Sequence, residues 1–148
     1  MKHLLFVCTG NTCRSPMAEA FCREIIEREN LSGKISCASA GLAAYPGSTA
    51  SEFAVAAMQE VGIDLSRHRA QPLSAGMLAQ ADEIWVLSAS HKQAIVSALP
   101  QFSSKVFVLG DGIPDPYGQG LDVYRACRDE IKRAVEQIPC LQRRDSSL

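Results

Sequence analysis

Near its amino terminus the chain reads Leu4-Leu5-Phe6-Val7-Cys8-Thr9-Gly10-Asn11-Thr12-Cys13-Arg14-Ser15-Pro16. The short apolar run before the first cysteine is typical of a buried strand, and Ser15 followed by Pro16 is typical of a helix start, with the serine as N-cap. Because Thr9, Gly10 and Asn11 break the apolar run at once, a loop joins this strand to the helix. A strand, a short glycine-containing loop and a helix in this order are the opening unit of an α/β domain.

Three further apolar runs, at 35–38, 84–87 and 106–109, share the short, continuous character of 4–7. Continuous rather than alternating apolar strands are expected where helices cover both faces of a sheet. The remaining segments have helical patterns, which we place around Phe53 to Gly62, from Ser90 as N-cap to Pro100, and from Tyr124 to Pro139. The alternation predicts a small α/β sandwich with a mainly parallel sheet and right-handed crossovers.

Length and composition favour one domain with an ordinary apolar core. The chain has 148 residues, of which 47% are hydrophobic and 21% charged. We assign the domain to 1–140 and expect the mostly polar tail 141–148 to be frayed. A net charge of −1 argues against nucleic-acid binding, and no apolar stretch approaches the roughly 20 residues needed to cross a bilayer. The first apolar run is also too short for a secretory signal.

The six cysteines are expected to be reduced thiols in a cytoplasmic protein, because a chain of this size and apolar content does not need disulfide staples. No two cysteines have the C-x2-C spacing and the three histidines are scattered, so no metal site is predicted. We expect no cofactor and a monomeric state.

The loop between the first strand and the first helix carries the chemistry. Cys8 precedes a helix N-terminus and has Arg14 nearby, and both favour the thiolate form of the cysteine, which is the nucleophile. Successive main-chain N–H groups from Thr9 to Arg14 can form an anion-binding nest, with Gly10 permitting unusual dihedrals. Arg14 can hold two phosphoryl oxygens at once, and the Ser15 hydroxyl can donate to the Cys8 sulfur. The plainer alternative is a buried structural cysteine followed by an incidental strand–helix turn.

A second motif, Asp115-Pro116-Tyr117, follows the fourth predicted strand. Pro116 keeps Asp115 out of helical dihedrals, so its carboxyl can be held on a loop that reaches the Cys8 loop. There it can serve as general acid toward a leaving group and then as general base toward water. The alternative is an ordinary turn aspartate. Tyr117 is either a wall of the pocket or a surface aromatic.

These residues resemble the low-molecular-weight protein tyrosine phosphatase family. The resemblance covers nearly the whole chain and is carried by Val7 to Pro16, Ser39-Ala40-Gly41, Gly62-Ile63-Asp64 with Ser66 and His68, and Asp115-Pro116-Tyr117. It implies a three-layer α/β sandwich with a four-stranded parallel sheet flanked by helices. It also implies phosphorylated proteins as substrates and a two-step reaction without metal.

The resemblance further implies a role for each matching residue. Cys8 attacks phosphorus and forms a cysteinyl-phosphate, Arg14 binds the phosphoryl oxygens and stabilises the transition state, and Asp115 protonates the leaving group and then activates water. Asn11 and Ser15 hold the loop and assist the thiolate. In this family a pair such as Cys8 and Cys13 can close into a reversible protective disulfide, although Cys13 can equally be a space-filling residue.

Within the family the chain looks most like the protein arginine phosphatase branch. Thr12 stands where tyrosine-directed members usually carry an apolar β-branched residue, and its hydroxyl favours a polar guanidinium over an aromatic ring. Gly118 stands where many of those members carry a second aromatic. Tyr117 departs from the phenylalanine that is frequent in the arginine branch.

Four other functions compete with this interpretation. The first is a phosphotyrosine phosphatase of the same family. The second is a non-catalytic phosphate-binding module, which would keep Arg14 but not require Cys8. An arsenate reductase would need further cysteines near 80–90, where this chain has none. A phosphocarrier domain would need neither a cation such as Arg14 to bind the phosphoryl oxygens nor a general acid such as Asp115.

Overall fold

The computed structural model describes residues 1–142 of the chain. Its four strands are β1 (Lys2–Cys8), β2 (Ile35–Gly41), β3 (Glu83–Val86) and β4 (Val106–Val108). All three pairings are parallel, and the strands lie in the order β2-β1-β3-β4. This arrangement confirms the predicted four-stranded parallel sheet.

Five α-helices and two short 3-10 segments complete the described part of the chain. The helices are α1 (Arg14–Arg28), α2 (Glu52–Gln59), α3 (Ala75–Gln80), α4 (Ala89–Ala98) and α5 (Leu121–Glu136), and the 3-10 segments are Pro100–Lys105 and Pro139–Leu141. None of these helices has the length and apolar character that crossing a bilayer requires.

The sheet separates two apolar layers, because successive side chains of a strand point to opposite faces. Leu4 and Phe6 of β1 belong to the larger cluster, which α1, α2 and α5 cover. Leu5 and Val7 belong to the smaller cluster, which includes Leu78 of α3 and Ile95 of α4. The strands are therefore apolar on both faces, which explains their continuous apolar sequences.

The strand order places the carboxyl end of β1 at a switch point. From β1 the chain moves outward to β2 on one side and then crosses to β3 on the other. The loops that follow β1 and β3 leave in opposite directions and open a crevice between them, which is where ligands bind in open α/β sheets. Cys8 is the last residue of β1 and stands at this crevice.

Several predicted boundaries were wrong. The first helix begins at Arg14 with Cys13 as N-cap, so Ser15 lies inside the helix instead of capping it. The fourth helix is capped by Ser88 rather than Ser90. The second helix, α2, ends at Gln59, before the predicted end at Gly62, and buries the side chains of Ala54, Ala57 and Met58.

The predicted frayed tail does not begin at residue 141. Leu141 ends the last 3-10 segment, and its side chain is buried in the larger apolar cluster. The folded unit thus extends past the boundary at 140, and the remainder of the predicted tail, 143–148, lies outside the described residues.

Gly41 brings the end of β2 against the Cys8 loop. It pairs with Cys8 in the sheet, and a Cβ atom on it would lie 2.6 Å from the Thr9 carbonyl oxygen and 3.0 Å from the Asn11 nitrogen. Only a residue without a side chain permits this approach of two backbones.

We expect Gly41→Ala to destabilise the protein by roughly 1–3 kcal/mol, because the added methyl group overlaps backbone that cannot move freely. Gly33→Ala is the matched control, since a Cβ at Gly33 meets nothing within 4 Å, and it should change stability by less than about 0.5 kcal/mol. Urea unfolding of the two variants measures the difference. Equal stabilities would contradict the close approach.

Candidate active site

The loop from Thr9 to Cys13 is held in shape by the side chain of Asn11. Asn11 is fully buried and has a φ of 56°, a left-handed conformation that asparagine adopts more readily than most residues. Its Nδ2 group donates to the hydroxyls of Ser15 at 2.8 Å and Ser39 at 2.9 Å. Its Oδ1 atom accepts from the main-chain N–H of Gln71 at 3.0 Å. The loop is therefore anchored to α1, to β2 and to the segment after α2.

The same network directs the Ser15 hydroxyl toward the Cys8 sulfur. The two atoms lie 2.9 Å apart, and both residues are buried. Because the Ser15 oxygen already accepts from Asn11, its own hydrogen is free to be donated to sulfur. A donor in this position stabilises a sulfur that carries negative charge. Beginning the helix at Arg14 rather than at Pro16 is what turns Ser15 inward.

Arg14 presents a buried guanidinium at the other side of the loop. Its side chain is 6% exposed, and one terminal nitrogen donates to the Ile113 carbonyl oxygen at 2.9 Å. The other terminal nitrogen lies 3.7 Å from a carboxylate oxygen of Asp115. Within the described residues the buried Nε atom has no hydrogen-bond partner. A buried charged donor without a partner is costly, so Nε and its neighbouring nitrogen form a fork suited to an anion.

The Asp115 carboxylate stands at the mouth of the site, half in solvent with 49% of its side chain exposed. One oxygen faces Arg14, and the other accepts from the main-chain N–H of Tyr117 at 3.1 Å. The Cys13 thiol approaches the same second oxygen at 3.8 Å. The fold thus brings together two motifs about 100 residues apart in sequence, as the topology of a parallel sheet leads us to expect.

A cavity of about 230 Å³ separates these groups. Its lining contains eight of the ten predicted site residues, namely Cys8, Thr9, Gly10, Thr12, Cys13, Arg14, Asp115 and Tyr117. The other two, Asn11 in the loop and Ser15 in α1, are outside this lining and hold the loop through the hydrogen bond between their side chains. Tyr117 is 75% exposed and forms part of the rim rather than a buried wall. Groups of this kind around a small cavity can bind a phosphoryl group and transfer it to sulfur.

The other thiols near the loop remain protonated at neutral pH. Burial raises the pKa of Cys13 to about 12, and the nearby Cys8 and Asp115 add to the effect. Burial likewise raises the pKa of Cys127 to about 12, reinforced by Cys13. Cys13 can therefore act as a hydrogen-bond donor to Asp115 but is poorly suited as a nucleophile.

Sequence reasoning missed His91, which lies one turn into α4. The ring is buried, with Nε2 at 2.9 Å from the Thr9 hydroxyl and Nδ1 at 3.0 Å from the Ser88 hydroxyl. Burial, assisted by the positive charge of Arg14, lowers its pKa to about 4, although Asp115 acts in the opposite direction. The histidine is therefore a neutral support for the loop. Its position just after β3, the strand next to β1, is the only signal in the sequence that could have identified it.

His68 also supports the loop, since its Nε2 atom lies 2.7 Å from the Asn11 carbonyl oxygen. Through this contact the His68 ring supports the loop backbone, and His68 is not part of the lining of the 230 Å³ cavity.

The sequence model of the family described as low molecular weight phosphotyrosine protein phosphatase matches residues 3–145. The chain belongs to this family. It is 39% identical to a protein-arginine-phosphatase of Bacillus subtilis (strain 168), over 91% of this chain and 93% of that protein. It is 40% identical to EpsP of Ralstonia nicotianae, a probable low molecular weight protein-tyrosine-phosphatase, over 92% of each chain.

Solved structures agree with this assignment. A Cys-to-Ser mutant of the YwlE arginine phosphatase, with a phosphorylated active-site serine, superimposes with a TM-score of 0.88. It is 37% identical and covers 98% of each chain. The family, the sandwich fold and the cysteine-dependent protein phosphatase class predicted from the sequence are confirmed.

We expect the buried, neutral His91 to make stability depend on pH. The unfolded chain binds a proton at His91 below about pH 6.5, whereas the folded protein does so only near pH 4. Folding stability should therefore fall as the pH decreases between these values, with a contribution from His91 on the order of 2 kcal/mol. Urea unfolding at several pH values measures this slope.

His91→Gln is the control, because glutamine keeps polar atoms near Thr9 but does not titrate. The variant should lose less stability than the wild-type protein between pH 6.5 and pH 4. If the free energy of unfolding falls equally steeply with decreasing pH in the two proteins, this would contradict a neutral His91.

Proposed function

We propose that this protein hydrolyses phosphoarginine in protein substrates through a covalent intermediate on Cys8. The observation that carries the proposal is the buried guanidinium of Arg14, which lines a small cavity with Cys8 and Asp115 and whose Nε atom has no hydrogen-bond partner among the described residues. An oxyanion in that cavity would accept from the guanidinium while its phosphorus faces the sulfur.

In the first step the Cys8 sulfur attacks phosphorus, and the bond from phosphorus to the substrate nitrogen breaks. Arg14 and the main-chain N–H groups of the loop hold the phosphoryl oxygens as charge shifts onto them. Protonated Asp115 gives its proton to the departing nitrogen. Its position at the mouth of the site, half in solvent, suits a group that must meet the leaving group.

In the second step water attacks the phosphorus of the cysteinyl-phosphate. Asp115, now a carboxylate, takes a proton from that water, and the sulfur departs as a thiolate. The Ser15 hydroxyl, 2.9 Å from the sulfur, stabilises this thiolate in both steps. Asn11 acts on the reaction through Ser15 and the loop backbone, and it is a positioning residue.

The rim of the cavity favours a guanidinium substrate over an aromatic one. Thr12 lines the cavity and offers a hydroxyl that can accept from a guanidinium nitrogen. The Asp115 carboxylate can pair with the same cation. Tyr117 is followed by Gly118, which has a φ of 78°. Because glycine has no side chain, this position offers no second aromatic ring to the substrate. The similarity to proteins described as arginine phosphatases supports the same substrate.

Hydrolysis of phosphotyrosine is the second candidate, because EpsP is equally similar to this chain. Tyr117 on the rim can stack against a substrate ring. A phosphocarrier role is disfavoured, because Asp115 beside the cavity supplies the acid and base that hydrolysis requires.

We further infer that the protein acts as a monomer in the cytoplasm, without binding nucleic acid or membranes. The groups that the proposed reaction uses, Cys8, Arg14 and Asp115, lie together in one cavity, which supports a monomer as the acting unit. All six cysteines are free thiols, which suits a reducing compartment. The net charge of −1 gives no overall attraction to nucleic acid or anionic lipid.

The substrate is tested by comparing kcat/KM for a phosphoarginine peptide and the matching phosphotyrosine peptide. We expect the wild-type protein to prefer phosphoarginine at least tenfold, which corresponds to about 1.4 kcal/mol in transition-state binding. Thr12→Ile should reduce or reverse the preference, since the hydroxyl is lost and apolar surface is gained.

Thr12→Ser is the matched control, because it keeps the hydroxyl and should keep the preference. A wild-type protein that prefers phosphotyrosine would contradict the substrate assignment. A Thr12→Ile variant with unchanged preference would remove Thr12 as the selecting residue.

A further inference from the structure

The six cysteines form two groups, of which the proposed reaction uses only one. Cys8 and Cys13 line the cavity at the catalytic loop, and the Cys127 sulfur on α5 lies 4.0 Å from the carbonyl oxygen of Pro114 beside it. Cys22 lies in the larger apolar cluster, and Cys37 and Cys140 pack against that cluster away from the cavity. All of them are free thiols.

Within the second group, Cys22 and Cys37 face each other across the interface between α1 and β2. Cys22 is fully buried on α1, in the apolar cluster against which the Cys37 side chain packs. Cys37 is partly exposed on β2, the edge strand of the sheet. Its sulfur lies 3.7 Å from the Glu19 carbonyl oxygen, and Glu19 is three residues before Cys22 on the helix. The Cys37 sulfur thus stands over the helical turn that carries Cys22.

The surroundings of the two thiols differ in a way that assigns each a role. The guanidinium of Arg23 pairs with the Glu19 side chain. Burial lowers the pKa of this guanidinium, whereas the nearby Glu19 and Cys37 side chains raise it. Arg23 is largely exposed and lines a cleft of about 360 Å³ that is open to solvent. A partly exposed thiol beside a cation is the reactive kind, whereas a buried thiol is slow to react with solutes.

The position of Cys22 disfavours its ionisation. The interaction with Cys37 and then burial raise the pKa of Cys22, with smaller contributions from Cys140 and Glu19. Cys22 is therefore the thiol that can react with an already oxidised Cys37.

We propose that Cys22 and Cys37 are a second oxidisable dithiol, which hydrogen peroxide converts to a disulfide between α1 and β2. The Cys37 thiolate attacks one peroxide oxygen, the O–O bond breaks, and hydroxide leaves, which yields a sulfenic acid. The Cys22 sulfur then attacks the Cys37 sulfur, an S–S bond forms, and the sulfenic oxygen leaves as water. Two thiols lose two electrons in total, and one peroxide molecule gains them and becomes two molecules of water.

The disulfide joins two elements that the catalytic loop already uses as anchors. Ser39, two residues after Cys37, accepts a hydrogen bond from Asn11 and donates one to Glu19 of α1. The covalent bond fixes the same helix against the same strand without involving Cys8. We therefore expect the oxidised protein to melt at a higher temperature and to keep its turnover once Cys8 is reduced.

Peptide mapping tests the proposal, because trypsin separates the relevant cysteines. Cleavage after Lys2, Arg14, Arg23, Lys34 and Arg67 places Cys22 in 15–23 and Cys37 in 35–67, while Cys8 and Cys13 share 3–14. The protein is treated with hydrogen peroxide, its remaining thiols are blocked with N-ethylmaleimide, and the unreduced digest is analysed by mass spectrometry. We expect a cross-linked species of 15–23 with 35–67 that dithiothreitol removes. It should also form in the Cys8→Ser variant, in which the catalytic pair cannot close.

Two variants on α1 test the role assigned to Arg23. Arg23→Gln should slow formation of the cross-link several-fold, because Cys37 loses its cation. Since this variant lacks the cleavage site at 23, its Cys22 is followed in peptide 15–28. Arg28→Gln removes a guanidinium from the same helix that pairs with Glu24 and Glu29 instead, and it should leave the rate unchanged.

Cys37→Ser should abolish the cross-link while the phosphatase activity on an aryl phosphate persists, which shows that the variant folds. The proposal is overturned if 15–23 stays unlinked while Cys37 is recovered blocked or as sulfinic acid. It is equally overturned if Cys37 becomes linked to the peptide that contains Cys140. An Arg23→Gln rate equal to that of the wild-type protein would refute the activation of Cys37 by Arg23.

Discussion

A single buried side-chain amide determines the shape of the catalytic loop. Asn11 makes hydrogen bonds to a helix residue, a strand residue and a main-chain N–H, and its backbone takes a left-handed conformation that those bonds maintain. Buried polar groups of this kind are costly unless all of their partners are in place. The loop therefore has one stable arrangement, and this arrangement aims the Ser15 hydroxyl at the Cys8 sulfur.

The electrostatics of the site depend on the guanidinium of Arg14, which lies beside the loop that Asn11 holds. Arg14 is buried, and the one carboxylate that faces it in the described part of the chain, Asp115, is half exposed and 3.7 Å away. A buried cation that is only partly compensated favours binding of an anion and disfavours other cations nearby. The neutral His91 beside Thr9 fits this pattern, because an imidazolium there would be buried near Arg14. The family assignment and the cavity geometry thus agree on phosphate chemistry.

Much of this could be predicted from the sequence, and the failures have physical reasons. The strands were recognisable because burial on both faces makes their sequences continuously apolar, but the end of β2, Ser39-Ala40-Gly41, is extended by pairing with β1 and not by its own residues. Helix α3 was missed because it has six residues and buries only Leu78. The spacing of Cys8 and Arg14 is local and therefore visible in the sequence. The placement of His91 depends on the side-by-side arrangement of β1 and β3, which no local pattern encodes.

The most direct test of the account is detection of a phosphoryl group on Cys8. With a reactive aryl phosphate the first step needs no acid, so Asp115→Asn should form the intermediate but hydrolyse it slowly for lack of a base. After a rapid denaturing quench, mass spectrometry of the tryptic peptide 3–14 should show one added phosphoryl group, which fragmentation locates on Cys8 rather than Cys13. Turnover without phosphate on Cys8, or with the phosphoryl group on another residue, would contradict the mechanism.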